Sequence, residues 1–162
     1  MTVTKVLVPS GVLGLGFELK ALMRGIKCKP DIISIDGGST DSGPASLGSG
    51  TSKYSRAAIK SEWKTLMQAR KEANVPLIIG TCGTCGTNSM VDWMEEITIE
   101  LAEELGQSLK IAKLYCEQNI DFLKNKLKIN RIFPLEPAPT LNVHLLDDLS
   151  HVVALAGAEQ VI

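Results

Sequence analysis

The sequence predicts an α/β fold, in which a parallel sheet carries helices on both faces in three layers, as in Rossmann-like or flavodoxin-like proteins. Short apolar runs alternate with segments of helical periodicity along the whole chain, and the runs are apolar on both faces. Both observations are typical of a parallel sheet that is covered on its two sides. Ligands bind such sheets beyond the carboxyl ends of the strands, so we expect the site on that rim.

Each element follows from its own pattern of apolar residues. Apolar runs predict six strands, at residues 5–8, 31–36, 75–79, 109–115, 131–133 and 152–156. Helical spacing predicts four helices, with stripes formed by Leu15, Leu19, Leu22 and Ile26, by Ile59, Trp63, Leu66 and Met67, by Met90, Met94, Ile97, Leu101 and Leu105, and by Ile120, Leu123 and Leu127. Ser89 and Asp92 predict a capping box at the start of the third helix, and Gly106 predicts its end.

Composition indicates one soluble α/β domain over residues 1–162. The formal net charge is −1 and aromatic residues make up 4%, so neither nucleic acid nor a membrane surface is an expected partner. No apolar run approaches the ~20 residues of a membrane span, and the first residues lack the pattern of a signal peptide. We therefore expect a cytoplasmic protein whose four cysteines are reduced thiols.

The turn around Cys82 and Cys85 is the strongest functional feature. It follows a buried strand and opens a helix, a place where unpaired backbone N–H groups attract anions and favour a thiolate. One interpretation is an anion-binding or nucleophile loop, with one cysteine active and with ligand contacts from Gly83, Thr84, Gly86, Thr87 and Asn88. The alternatives are a redox dithiol, half of a zinc site without a second paired motif, and inert packing of small residues.

The segment 36–52 is the second feature, because glycine, serine and threonine make up most of it and it follows a strand directly. Long loops within a compact domain are usually functional or disordered, so ligand binding competes with a plain flexible linker. Its acids, Asp36 and Asp41, are candidate bases or orienting groups. The candidate ligand contacts are Gly37, Gly38, Ser39, Thr40 and Ser42.

Other residues give weaker indications. The turn from Gly11 to Gly16 sits where a dinucleotide fingerprint would, but its glycine spacing differs, so tight packing of strand on helix is the alternative. His144 and His151 are seven residues apart and could share one face of a surface helix. Cys28 precedes a strand, at the edge away from the site, and is expected to be structural. Cys116 and the possible acid or base Glu117 end the fourth predicted strand and could face the site.

The run Asp31-Ile32-Ile33-Ser34-Ile35-Asp36-Gly37-Gly38-Ser39-Thr40-Asp41-Ser42-Gly43-Pro44, followed by Leu47-Gly48-Ser49-Gly50, resembles the N-terminal region of AtuA-like proteins. This family is named after a member of the acyclic terpene utilisation cluster, and the resemblance extends over residues 5 to 160. Members are usually far longer, so the resemblance implies that this chain is the N-terminal part of a longer protein. They also carry a different turn at the two cysteines, so no thiol role carries over.

The resemblance implies catabolism of acyl-CoA or carboxylic acid compounds. We therefore expect a domain of a lyase-type or isomerase-type enzyme, with an anion-binding rim formed by loops 36–52 and 80–89. Cys82 or Cys85 would be the nucleophile or proton-transfer thiol, and Asp36 or Asp41 the base. No metal is expected and no cofactor is indicated. The expected partners are a small anionic metabolite and the remaining domain or another subunit, including a second copy of the chain. The alternatives are a nucleotide- or phosphate-binding module and a structural subunit.

Overall fold

A three-stranded parallel sheet lies at the centre of the computed structural model, which describes residues 3–38 and 43–160. The strands are β1 (Val6–Leu7), β2 (Ile32–Asp36) and β3 (Leu77–Gly80), hydrogen-bonded in the order β1-β2-β3. In the register of the central pair, Asp36 is opposite Gly80, so both strands end at one edge of the sheet. The α/β class is confirmed.

Six α-helices accompany the sheet in the described ranges, and the last is followed by a short 3₁₀ turn at Ala158–Gln160. They are α1 (Leu19–Lys27), α2 (Ala45–Ser49), α3 (Arg56–Ala73), α4 (Asn88–Leu105), α5 (Ile120–Lys128) and α6 (Val143–Asp147). None of the helices in these ranges has both the length and the apolar character needed to cross a membrane.

Capping residues mark the start of α3 and the end of α4, the two long helices. Ser55 caps α3 by accepting a hydrogen bond from the Ala58 N–H at 3.2 Å. Gly106 ends α4 in the left-handed conformation, as its sequence position predicts. The predicted capping box from Ser89 to Asp92 is wrong. The helix begins at Asn88 with Thr87 as its N-cap, two residues before the predicted cap, and the Asp92 carboxylate accepts hydrogen bonds from Lys113 and Tyr115 instead.

One apolar core joins β2 to three helices. Burial alternates along β2, where Ile33 and Ile35 are buried and the intervening residues are half-buried. The side chains that pack with them come from α1, α3 and α4: Leu22, Ile26, Ile59, Trp63, Leu66, Met67, Ala69, Met94, Ile97 and Leu101. The predicted stripe on α3 lies in the core, and so does most of the stripe on α4, whereas on α1 only Leu22 and Ile26 are buried and the predicted Leu15 and Leu19 are exposed. The buried face of β2 is the face of Ile33 and Ile35.

An ion-pair network fixes α3 alongside α4 outside this core. Arg56 and Lys60 contact Glu100, at 2.5 and 2.9 Å, and Lys60 and Lys64 contact Glu104, at 2.6 and 2.9 Å. The hydrogen bond from Arg56, followed by the one from Lys60, lowers the pKa of Glu100 to about 2. The network is solvent-exposed, so it orients the helices more than it stabilises them.

The last three predicted strands are not present as strands in the described residues. Residues 109–115 and 131–133 form no ladder, and residues 152–156 contribute only an isolated antiparallel bridge between Val153 and Glu117. An apolar run becomes a strand only when its backbone groups find a neighbouring strand. Here β3 is the edge of the sheet. The consequence is a groove along that edge.

Candidate functional site

The two predicted loops meet at the carboxyl ends of β2 and β3. The Gly37 N–H donates to the Gly80 carbonyl at 2.6 Å, and the Thr84 N–H donates to the Gly37 carbonyl at 3.3 Å. Just beyond the first loop, the Lys53 N–H donates to the Thr84 hydroxyl oxygen at 3.2 Å. Backbone hydrogen bonds therefore hold loops 36–52 and 80–89 against each other at the expected edge of the sheet.

Asp36 holds this junction together from the end of β2. One of its carboxylate oxygens accepts a hydrogen bond from the Gly38 N–H at 3.1 Å, and its carbonyl accepts one from the Leu13 N–H at 2.8 Å. Both contacts are within the protein, so the geometry gives Asp36 a structural task at the turn. The other predicted residues of this loop, Ser39, Thr40, Asp41 and Ser42, lie outside the described residues.

The loop that carries the two cysteines is tightly wound. Thr81 and Thr84 both have positive φ, as do the glycines at 83 and 86, and the Gly86 N–H closes a turn onto the Cys82 carbonyl at 2.9 Å. Non-glycine residues rarely adopt this conformation, and such strain is often found at functional sites. Gly83 faces the Met90 side chain, where a β-carbon would be 2.5 Å from the sulfur. This glycine therefore serves close packing rather than ligand approach.

The two thiols do not have the environment expected of a nucleophile. Burial raises the pKa of Cys82 to about 11, outweighing an opposing backbone hydrogen bond. Cys85 is 3% exposed, and its sulfur lies 3.5 Å from the Thr87 hydroxyl oxygen. The raised pKa runs against the expectation of a thiolate at Cys82, because desolvation of the charged form outweighs the backbone hydrogen bond that favours it.

The N-terminus of α4 is already occupied by a carboxylate. The Asn88 N–H donates to Oε2 of Glu117 at 2.9 Å, and the other oxygen of Glu117 lies 2.5 Å from Nδ1 of His151. Partial burial opposes ionisation, but the bonds from His151 and Asn88 hold the pKa of Glu117 below its usual value. The His151 ring lies against Gly50, where a β-carbon would be 2.5 Å from Nε2. This pair ties the end of α2 to the start of α4.

The glycine turn before α1 is occupied in the same way. The N–H groups of Gly14 and Gly16 donate to the two carboxylate oxygens of Glu62, at 2.7 and 2.8 Å. Both glycines have positive φ, so their amides converge on one point, as in an anion-binding nest. Because Glu62 fills that position, the turn is not free for a nucleotide phosphate.

The sequence carried a usable indication for Glu62 but not for His151. Glu62 lies between Ile59 and Trp63, two residues of the apolar stripe of α3. A carboxylate beside this stripe predicts a hydrogen-bonding partner on the side of the helix that faces the protein. His151 lies beyond α6, which ends at Asp147, so the predicted shared helical face with His144 is wrong. Nothing in the local sequence predicted its contact with Glu117, which is far away along the chain.

A large groove begins at the cysteine loop and runs along the free edge of β3. Its volume is about 1330 Å³, and three of the four cysteines, Cys82, Cys85 and Cys116, line it. Its walls come from the inner faces of α3 and α4 and from the segments 108–114 and 153–158. At the amino end of β3, the Nε atom of Arg70 is buried in this wall and has no hydrogen-bond partner in the described structure.

Across residues 3–38 and 43–160, no three histidine, cysteine, aspartate or glutamate side chains are grouped as metal ligands would be. Cys28 is exposed at the end of α1, and its sulfur bonds only to the carbonyl of Arg24 in the preceding turn, at 3.5 Å. Comparison with known proteins finds no matching family model, no matching curated protein and no matching solved structure.

Proposed function

We propose that this chain is a domain of an enzyme that acts on a small carboxylate or an acyl-CoA-type metabolite. The ligand occupies the end of the groove at the carboxyl edge of the sheet, which we call the rim pocket. Its lining residues include Pro44, Leu47, Cys82, Gly86 and Cys116. The single observation that carries the proposal is the convergence of loops 36–52 and 80–89 on one end of a groove of this size.

The chemistry of the rim pocket suits an acyl compound better than a free phosphate. Its walls mix apolar side chains with thiols and backbone polar groups, as small-molecule sites commonly do. In the part of the chain that the structure describes, two places where the backbone is arranged to bind an anion are filled by Glu62 and Glu117. For this reason the nucleotide- or phosphate-binding alternative is the weaker of the two.

In this proposal Cys82 acts as a proton donor. A thiol whose pKa is about 11 is neutral at pH 7, so it carries a proton that it can deliver to a developing carbanion or enolate. Lyase and isomerase steps beside a carboxyl or thioester carbonyl require such a proton transfer. Cys85 packs beneath the loop and supports it.

Two finer identifications belong to the same proposal. The three parallel strands and the ligand edge support a larger Rossmann-like sheet with three layers. The run from Asp31 to Gly50 supports membership of the AtuA-like family as an N-terminal domain, located in the cytoplasm, with further catalytic groups supplied by another domain or subunit.

Calorimetric titration tests the proposal with acetyl-CoA, acetate, a dicarboxylate and ATP as separate probes. We expect a thioester or carboxylate to bind with a Kd of about 1 mM or tighter, which is the affinity of a minimal site. Ala154→Trp places a bulky side chain in the groove wall from an exposed position and should weaken binding at least tenfold. Ala57→Trp, exposed on α3 away from the groove, is the matched control and should bind like the wild type.

Two results would overturn the proposal. One is the absence of any heat of binding for carboxylates and thioesters up to tens of millimolar, which would favour a structural subunit. The other is binding of ATP alone, with Ala154→Trp without effect, which would favour the nucleotide-binding module.

A further inference from the structure

The segment Leu109–Tyr115 lies across the groove from an unpaired strand edge. Among residues 3–38 and 43–160, β3 pairs only with β2, so its outer edge presents backbone N–H and C=O groups to the groove. Residues 108–114 form the facing wall of the same groove. Within the described ranges, residues 108–115 take part in no backbone–backbone hydrogen bond. Two backbone stretches that both lack partners therefore face each other.

The side chains of this segment are those of a strand. Leu109, Ile111 and Leu114 are apolar, yet Ile111 and Leu114 are 43% and 41% exposed. Exposed apolar side chains on an unpaired, extended backbone are unfavourable in both respects, since neither the hydrophobic nor the hydrogen-bonding requirement is met. If the segment moves onto the edge of β3, its backbone gains hydrogen bonds and its apolar side chains become buried.

The groove is also larger than a ligand site needs to be. Pockets for small molecules are usually about 300–1,000 Å³, whereas this groove is about 1330 Å³. Part of it lies beside β3, away from the rim pocket, where Leu77, Ile78 and Ile79 line it. Arg70, whose buried Nε has no hydrogen-bond partner among the described residues, lines the groove at the amino end of that part, where an incoming strand would bring carbonyl oxygens.

We propose that Leu109–Tyr115 is a closing strand that docks in parallel on the free edge of β3 and forms the fourth strand of the sheet. Closure fills the part of the groove beside β3 and leaves the rim pocket enclosed. It carries Cys116 to the carboxyl edge of the sheet, beside Cys82. The open position is held by exposed contacts on α4, where Lys113 bonds to Asp92 at 3.1 Å and Glu95 at 2.7 Å. Exposed ion pairs of this kind are weak, so they stabilise the open position only slightly.

A proline scan read by amide hydrogen exchange tests this inference. In a parallel pair, every second residue of a strand directs its N–H group towards the partner strand. In the closed form only β3 flanks the segment, so a proline, which has no N–H group, breaks a hydrogen bond at every second position only. Because Ile33 donates to the Pro76 carbonyl, the Ile78 amide faces β2 and the Ile79 amide faces the free edge. One of Ile111→Pro and Ala112→Pro should therefore lower the protection of the Ile79 amide at least tenfold, and the other should change it less than threefold. Ile111→Ala is the control for loss of the side chain, and far-UV circular dichroism verifies that each variant folds.

Three results would overturn the proposal. The first is an equal effect of the two proline variants on amide protection, because the N–H groups of an unpaired segment do not alternate between bonded and unbonded. The second is exchange of the wild-type amides at 110–114 at the rate of an unfolded chain. The third is protection of the β3 edge that rises with protein concentration, which would assign the edge to a second copy of the chain. None of these depends on ligand binding, so failure here leaves the proposed function standing.

Discussion

At the scale of single residues, burial decides the chemistry of the cysteines. Cys82 lies beside a helix N-terminus, which favours a thiolate by about 0.3–1 kcal/mol at an exposed site. The surrounding protein nevertheless raises its pKa to about 11, because the desolvated thiolate loses more than the helix returns. Cys28, which the sequence placed away from the site, is the exposed thiol.

We therefore expect Cys28 to react first with iodoacetamide at neutral pH, ahead of Cys82 and Cys85. The rate of alkylation follows access and thiolate fraction. The raised pKa of Cys82 lowers its thiolate fraction, and burial restricts access to Cys85. Peptide mapping after short labelling measures the order, and labelling in denaturant supplies the control in which all cysteines react. Faster labelling of Cys82 in the folded protein would show that the loop opens to solvent.

The Glu117 carboxylate gives the folded protein a pH-dependent contribution to stability. Its pKa is lowered in the fold, so the contribution is fully present above the unfolded value of about 4.3 and is lost as the pH falls through the folded value. Glu117→Gln should lower stability by about 1 kcal/mol at pH 6, in keeping with a hydrogen bond to a charged group at a partly exposed site. The difference from the wild type should shrink towards pH 3.

Thermal unfolding of both proteins across this pH range measures the effect. The exposed Glu136→Gln serves as the matched control and should follow the wild type at every pH. A constant difference between Glu117→Gln and the wild type down to pH 3 would mean that the charge of this carboxylate does not matter.

At the scale of elements, loop contact depends on a glycine that the sequence assigned to ligand binding. A β-carbon on Gly38 would come closer than 3.0 Å to the Cα of Thr84, a backbone atom that cannot move without the loop. Gly38→Ala should therefore separate loops 36–52 and 80–89 and cost about 1–3 kcal/mol, as overpacking usually does. Gly48→Ala, with open space around its β-carbon, is the control. Urea denaturation compares them, and equal midpoints would contradict the packing argument.

The elements that the sequence predicted well are those with a long, repeated apolar pattern. The stripe from Met94 to Leu101 marks α4, and the runs that end at Asp36 and at Ile79 mark adjacent parallel strands. The meeting of the two loops followed from this topology alone, since neighbouring parallel strands end at one edge.

The sequence could not predict which strands and side chains become partners in the folded structure. The apolar run at 109–115 has the composition of a strand, but pairing depends on a neighbour that local pattern does not specify. The same holds for the site. The sequence indicated the glycine turn and the N-terminus of α4 as possible anion sites, and in the structure their amides donate to Glu62 and Glu117 of the same chain.

At the scale of the whole molecule, the buried side chains form two unequal groups. The main core joins β2 to α1, α3 and α4, whereas α5 and α6 pack mainly against each other around Leu123 and Leu146. A unit with so few buried side chains has little free energy holding it to the rest. We therefore expect the α5–α6 pair to open separately, at a lower free energy than global unfolding.

Leu66→Ala and Leu146→Ala distinguish the two groups, because both remove the same atoms from buried positions that are 0% and 3% exposed. Leu66→Ala should lower the free energy of global unfolding by about 2–5 kcal/mol, as a cavity in a close-packed core does. Leu146→Ala should accelerate amide exchange in α5 and α6 while leaving exchange in α3 and α4 unchanged, because those amides exchange only when the main core opens. Hydrogen exchange resolved by residue, together with urea denaturation followed at Trp63, measures both effects. Equal loss of protection in all four helices after Leu146→Ala would show that the chain unfolds as one unit.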